Sequence, residues 1–147
     1  MIPKFRAWFD SEMYEKPIVF DGDLYLDWGD FENGDRYNGA IGMQSTGLFD
    51  KNGKEIFEGD VVELHHFTEN YSETGGFYEG EESLVGVVRY GYTDDEIKYF
   101  GKVYPPRWFI ENRYRELVFS DLSGLHEESF KVIGNVYQNK ELTEGLK

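Results

Sequence analysis

The chain is 147 residues long, enough for one domain, and 18% of it is aromatic, with 11 Tyr, 12 Phe and 3 Trp supplementing a 39% apolar content. It has no cysteine, which excludes disulfides, thiolate metal sites and a cysteine nucleophile. A formal net charge of −14 repels nucleic-acid phosphates and disfavours nonspecific DNA or RNA binding. No apolar run suits a signal peptide or membrane span, so no membrane association is expected and the cytoplasm of a cell is the expected setting.

Helical periodicity is nearly absent, and short β-rich runs bounded by Gly, Asp and Asn recur along the chain. Strands are predicted at Lys4–Phe9, Ile18–Phe20 and Leu24–Trp28, with Asp21-Gly22-Asp23 as the hairpin connection between the last two. Gly29–Gly39 reads as a turn-rich loop. Ala40–Gln44 and Glu55–Phe57 read as short strands flanking Asp50-Lys51-Asn52-Gly53-Lys54, whose Asn-Gly pair tolerates positive φ at both central positions of a hairpin turn. Glu58-Gly59-Asp60 makes a second turn that launches Val61–Phe67. Thr68–Ser83, rich in Gly and Glu, is expected to be an exposed acidic loop; the alternative is an extended hairpin tip with Phe77-Tyr78 as one wall.

Further strands are predicted at Leu84–Tyr90, Trp108–Glu111, Leu117–Phe119 and Phe130–Tyr137. A single turn is expected near Leu122–Glu128, and Gln138–Leu146 reads as a short helix weakened by Gly145. The expected fold class is mainly β: a small, partly open, SH3-like barrel with an additional N-terminal sheet and few short helices. Val61 and part of Val85-Gly86-Val87-Val88 are expected to face the barrel interior, with Gly86 permitting tight curvature. The whole chain reads as one domain, with 1–44 and 45–147 as potential subdomains.

Candidate chemistry is sparse. Glu63 and His65 share a strand face and offer two ligands of a metal site, with His126 or Glu127 as distal candidates, yet adjacent His65 and His66 point to opposite faces. Among the many carboxylate pairs, Glu58 and Asp60 are the most suggestive, but a turn role for Asp60 is preferred over catalysis. Ser120–His126 holds triad residue types without the strand–turn–helix setting that a nucleophile needs. No cofactor is expected. The stretch from Lys102 to Arg115 differs: Lys102, Arg107, Arg113 and Arg115 face Glu111 alone, interleaved with Trp108 and Tyr114. Such a stretch either pairs with the protein's own carboxylates or holds an outside anionic partner.

The segments Lys4–Trp8, Thr46–Asp60 and Ile133–Tyr137 together resemble the YopX family of phage and prophage proteins. The central motif comprises Gly47, Asp50, Asn52, Gly53, Glu58, Gly59 and Asp60, and its composition specifies turns without demanding chemistry. The resemblance implies a phage or prophage origin, a bacterial host cytoplasm and assembly into homo-oligomers. It assigns no activity. Phe9 stands where an acidic residue commonly follows the Arg-Ala-Trp motif, and the Thr68–Ser83 connection exceeds that of shorter family members. The combined reading is a noncatalytic, acidic β-rich accessory protein that binds a host or phage protein or self-assembles. The alternatives are a modulator of nucleic-acid machinery, through acidic charge mimicry or the basic-aromatic patch, and a metal-assisted hydrolase.

Overall fold

In the computed structural model the described residues are 4–92, 106–121 and 127–144. The chain is mainly β, and its described residues form three sheets. Strands β1 (Phe5–Phe9), β2 (Glu12–Tyr14), β5 (Ile41–Phe49) and β6 (Glu55–Phe57) form a four-stranded sheet in the order β2-β1-β5-β6. The additional N-terminal sheet therefore borrows two strands from beyond the first forty residues. β3 (Ile18–Phe20) and β4 (Asp23–Tyr25) make a separate hairpin. The third sheet has five strands, which curl into a half-barrel. Its order is β10-β9-β8-β7-β11, from β7 (Asp60–Tyr71), β8 (Phe77–Gly91), β9 (Arg107–Glu111), β10 (Glu116–Val118) and β11 (Phe130–Asn135).

Local chemistry explains most boundaries. Asp10 and Ser11 both adopt positive φ, 50° and 63°, in the two-residue turn of the β1–β2 hairpin; Asp21 (51°) and Gly22 (80°) repeat this between β3 and β4. The Asn52-Gly53 turn differs from expectation, because among the described residues of that loop Gly53 alone has positive φ, 79°. Gly53 N–H donates to Asp50 O (3.0 Å) and Asp50 N–H to Lys54 O (2.8 Å), giving a wider loop closed by one left-handed residue. The Asp50 carboxylate stabilises that wider form by accepting from the amides of Asn52 (2.9 Å) and Lys54 (2.8 Å).

Trp28 and the Gly29–Gly39 loop also need correction. Helix α1 (Trp28–Asn33) begins there because Asp27 Oδ1 accepts from Asp30 N–H (2.8 Å), and it ends at Gly34 in the left-handed region. A short helix α2 (Lys140–Glu144) lies within the predicted C-terminal helix.

Between β7 and β8 the favoured acidic loop gives way to the alternative reading, an extended hairpin with Phe77 and Tyr78 on one strand. The register runs without interruption from Val61↔Val87 to Tyr71↔Phe77, with a turn closed by Ser72 N–H to Gly76 O (2.7 Å). Among the described residues neighbouring strands pair only with its base, β11 against residues 60–64 and β9 against residues 87–91. Residues 65–71 and 77–83 consequently form a two-stranded arm about 20 Å long at the usual strand rise.

The core gathers Ile56, Val62, Leu64, Val88, Ile110 and Phe130 inside the curled sheet, with Ile56 reaching in from the other sheet. Val61 is fully buried but lies outside this cluster, since successive residues of a strand face opposite ways. A Cβ on Gly86 would lie 2.3 Å from Ile110 Cγ2 and 2.9 Å from Glu111 O, so close approach of β9 to β8 is what requires glycine there.

Candidate functional site

The Gly/Asp-rich motif occupies the junction between the two larger sheets. Gly47 has positive φ where β5 shifts register against β6, and its N–H donates to Ser45 Oγ (3.0 Å). Glu58 donates its backbone N–H to Gln44 O (2.9 Å). Gly59 N–H donates to Val88 O (2.8 Å), and Gly59 O accepts from Val136 N–H (2.9 Å), stitching the turn to β8 and the end of β11. Asp50 reaches furthest: its Oδ2 accepts from Val132 N–H (2.9 Å). Burial raises the Asp50 pKa, but the amides of Val132, Lys54 and Asn52 outweigh burial and hold the carboxyl below its ordinary value.

Asp60 is fully buried and accepts from the Arg6 guanidinium of β1 and, through Oδ2, from Phe57 N–H (2.8 Å). The bond to Phe57 runs back along the chain, so Asp60 caps a turn in a different way from an Asx arrangement. Burial lifts its pKa above the ordinary value, against the opposing pull of Arg6. The Arg6 guanidinium also lies over the Phe57 ring, 4.6 Å from its centroid. The sequence motif held Arg6 without marking its importance; a charge flanked by Phe5 and Ala7 on a central strand was the available signal.

A pocket of about 320 Å³ opens beside this pair. Lys4, Arg6, Lys16 and Lys54 line it together with Glu15 and Glu55, a cationic concentration in a strongly acidic chain. Lys4 Nζ pairs with Glu55 Oε1 at 2.8 Å. Arg6 Nε is buried and has no hydrogen-bond partner.

The basic-aromatic stretch does not converge on one site. Lys102 lies outside the described residues, as does most of the Ser120–His126 cluster, including His126. Arg107 and Trp108 open β9, where Trp108 packs on Tyr90 with ring centroids 4.9 Å apart. Arg113, Tyr114 and Arg115 sit beyond the other end of β9, in the turn to β10, with Tyr114 82% exposed. Arg113 lies 5.8 Å from the Tyr114 ring centroid, and Arg115 pairs with Glu82 at the base of the arm. Strand β9 separates the two groups by about 17 Å at the usual rise per residue. A shallow cleft between β8, β9 and α2 holds Arg89, Arg113 and Lys140 alongside Glu111 and Glu144, and Arg89 Nε lies 3.2 Å from Glu111 Oε1.

Both described histidines belong to the arm. His65 Nδ1 lies 2.8 Å from Ser83 Oγ, with Nε2 3.6 Å from Glu81; His66 Nε2 lies 3.3 Å from Glu82. Among the described residues no three His, Asp or Glu side chains come together as a metal-binding group. No helix among them is long and apolar enough to cross a membrane.

Among curated proteins, none matches this sequence. The crystal structure of protein EF1440 from Enterococcus faecalis is similar, with 27% sequence identity, 97% of this chain and 99% of that one covered, and a TM-score of 0.46. The sequence profile of the YopX protein family matches residues 4–144, nearly the whole chain, and this protein belongs to that family.

Proposed function

We propose that this YopX-family chain is a noncatalytic phage or prophage accessory protein that works in the bacterial cytoplasm by binding a basic protein surface through its β7–β8 arm. The observation behind this reading is the arm itself. Among the described residues its outer positions pair only with each other, although an isolated two-stranded hairpin is marginal in water, and both edges offer backbone groups for strand addition. Phe77 and Tyr78 at its tip are 67% and 57% exposed, beside exposed Glu73, Glu79 and Glu81. Aromatic anchors within an acidic surround suit a partner carrying Arg or Lys around an apolar pocket. A nucleic-acid-binding protein of the host or phage has that chemistry, so the charge-mimicry reading is one form of the same proposal. Self-assembly is the competing reading, and the acidic arms of two copies would repel each other.

The test couples light scattering with capture on immobilised protein. The expected result is a protein partner retained by the parent, released by salt, and lost with Phe77→Ser/Tyr78→Ser. Retention unaffected by those substitutions, or a stable homo-oligomer held through the arm with no other partner, overturns the reading.

A further inference from the structure

We propose that the lysine-lined pocket around Arg6 binds a small phosphoryl anion. The site draws on β1, β2, β6 and the end of β11, away from the arm, and stands independently of the protein-binding proposal.

The unpartnered Arg6 Nε is the first reason. Arg6 is 5% exposed, its Nη2 is committed to Asp60, and its flat face lies over Phe57, so the guanidinium is held in place. A buried donor without an acceptor is costly, and an acceptor in the adjoining pocket would remove that cost. The cations are the second reason. Lys4 is engaged by Glu55, whose charge is opposed by burial but held by hydrogen bonds from Lys4 and Ser45. Lys16 and Lys54 line the same pocket, two point charges beside the fixed guanidinium. Glu15 on the same wall offsets one of these charges, and a phosphoryl group has oxygens enough to meet both lysines and Arg6 Nε, whereas a monocarboxylate has two for these three donor groups.

Size narrows the class. A volume of about 320 Å³ is at the small end of ligand pockets, and the acidic exterior opposes approach of a nucleic-acid polymer. The side-chain amide of Gln138, which lines the pocket, is suited to the neutral part of a phosphate ester.

An NMR titration of the full chain with inorganic phosphate at low ionic strength tests this through the Arg6 Nε–H signal and the amides of Lys54 and Phe57. Saturable shifts at those signals are expected, weakened about tenfold or more in Lys16→Ala/Lys54→Ala. That variant changes two exposed lysines and is expected to keep the parent's melting temperature. Phenyl phosphate in a parallel arm separates an ester ligand, which binds more tightly, from the free ion, which binds equally well. Acetate producing the same shifts at the same concentration overturns the phosphoryl assignment. No shifts, or shifts unchanged in the double variant, overturn the site.

Discussion

Arg6 on β1 and Asp60 at the head of β7 form a buried ion pair that ties the four-stranded sheet to the half-barrel, although 54 positions separate them in the chain. Phe57 completes the arrangement, giving its amide to Asp60 and its ring face to Arg6. Breaking one member leaves the other charged and without its counter-ion in the interior. Asp60→Ala or Arg6→Ala is therefore expected to cost about 3–5 kcal/mol in chemical denaturation, while Arg6→Met/Asp60→Leu recovers most of that loss. Equal losses in the single and double variants would show that an apolar pair cannot replace the ion pair.

Acid stability is expected to depend on Asp50 and Asp60 in opposite directions. The Asp50 pKa is lowered from 3.8 on folding, so its stabilisation is complete above that value and is lost as pH falls through the lower folded-state pKa. Asp60 is raised from 3.8, so the folded form takes its proton first, and stability gains as pH falls from the folded-state pKa toward 3.8. In urea melts across the acid range, Asp50→Asn is expected to flatten the decline below pH 3.8, and Asp60→Asn to remove the opposing gain above it.

Gly86→Ala is expected to destabilise by about 1–3 kcal/mol, because the new methyl group meets the Glu111 backbone as well as Ile110. The urea midpoint should fall with the slope of the transition unchanged. Unaltered stability would mean that β9 stands further from β8 than described.

The arm is expected to exchange its amide hydrogens well before the base of the same hairpin. Among the described residues, 65–71 and 77–83 have no flanking strand, whereas Val61–Leu64 and Val87 are paired on both sides. Arg115→Ala removes the pair with Glu82 and should accelerate exchange at the arm's base without lowering global stability by more than about 0.5 kcal/mol. Uniform protection along β7 would contradict the two-stranded description.

Much of the strand pattern was legible because turn chemistry and alternation act over a few residues. Asp21-Gly22 marked the β3–β4 hairpin, and Val61–Leu64 and Phe130–Val132 read as strands from β-branched and aromatic runs alone. At the β7–β8 arm composition favours a loop over the hairpin, because Gly75, Gly76 and Gly80 stand among many glutamates. Continued backbone pairing from the base holds that composition in strand form. Helix α1 was missed because six residues carry too little periodicity; its Asp27 cap and Gly34 stop were the remaining signals.

For the candidate site, composition alone established that cysteine chemistry was absent and that the molecule was acidic. It did not reveal that Arg6, Lys16 and Lys54 share one pocket, nor that Arg107 and Arg113 occupy different ends of β9. Sequence by itself determined where the chain turns and extends, since backbone dihedral preferences are properties of neighbouring residues. Tertiary structure alone decided which charges meet: the Arg6–Asp60 pair spans 54 positions and the Asp50–Val132 bond 82. Sheet packing sets these distances, and it also determines whether burial raises or hydrogen bonding lowers the pKa of each carboxylate.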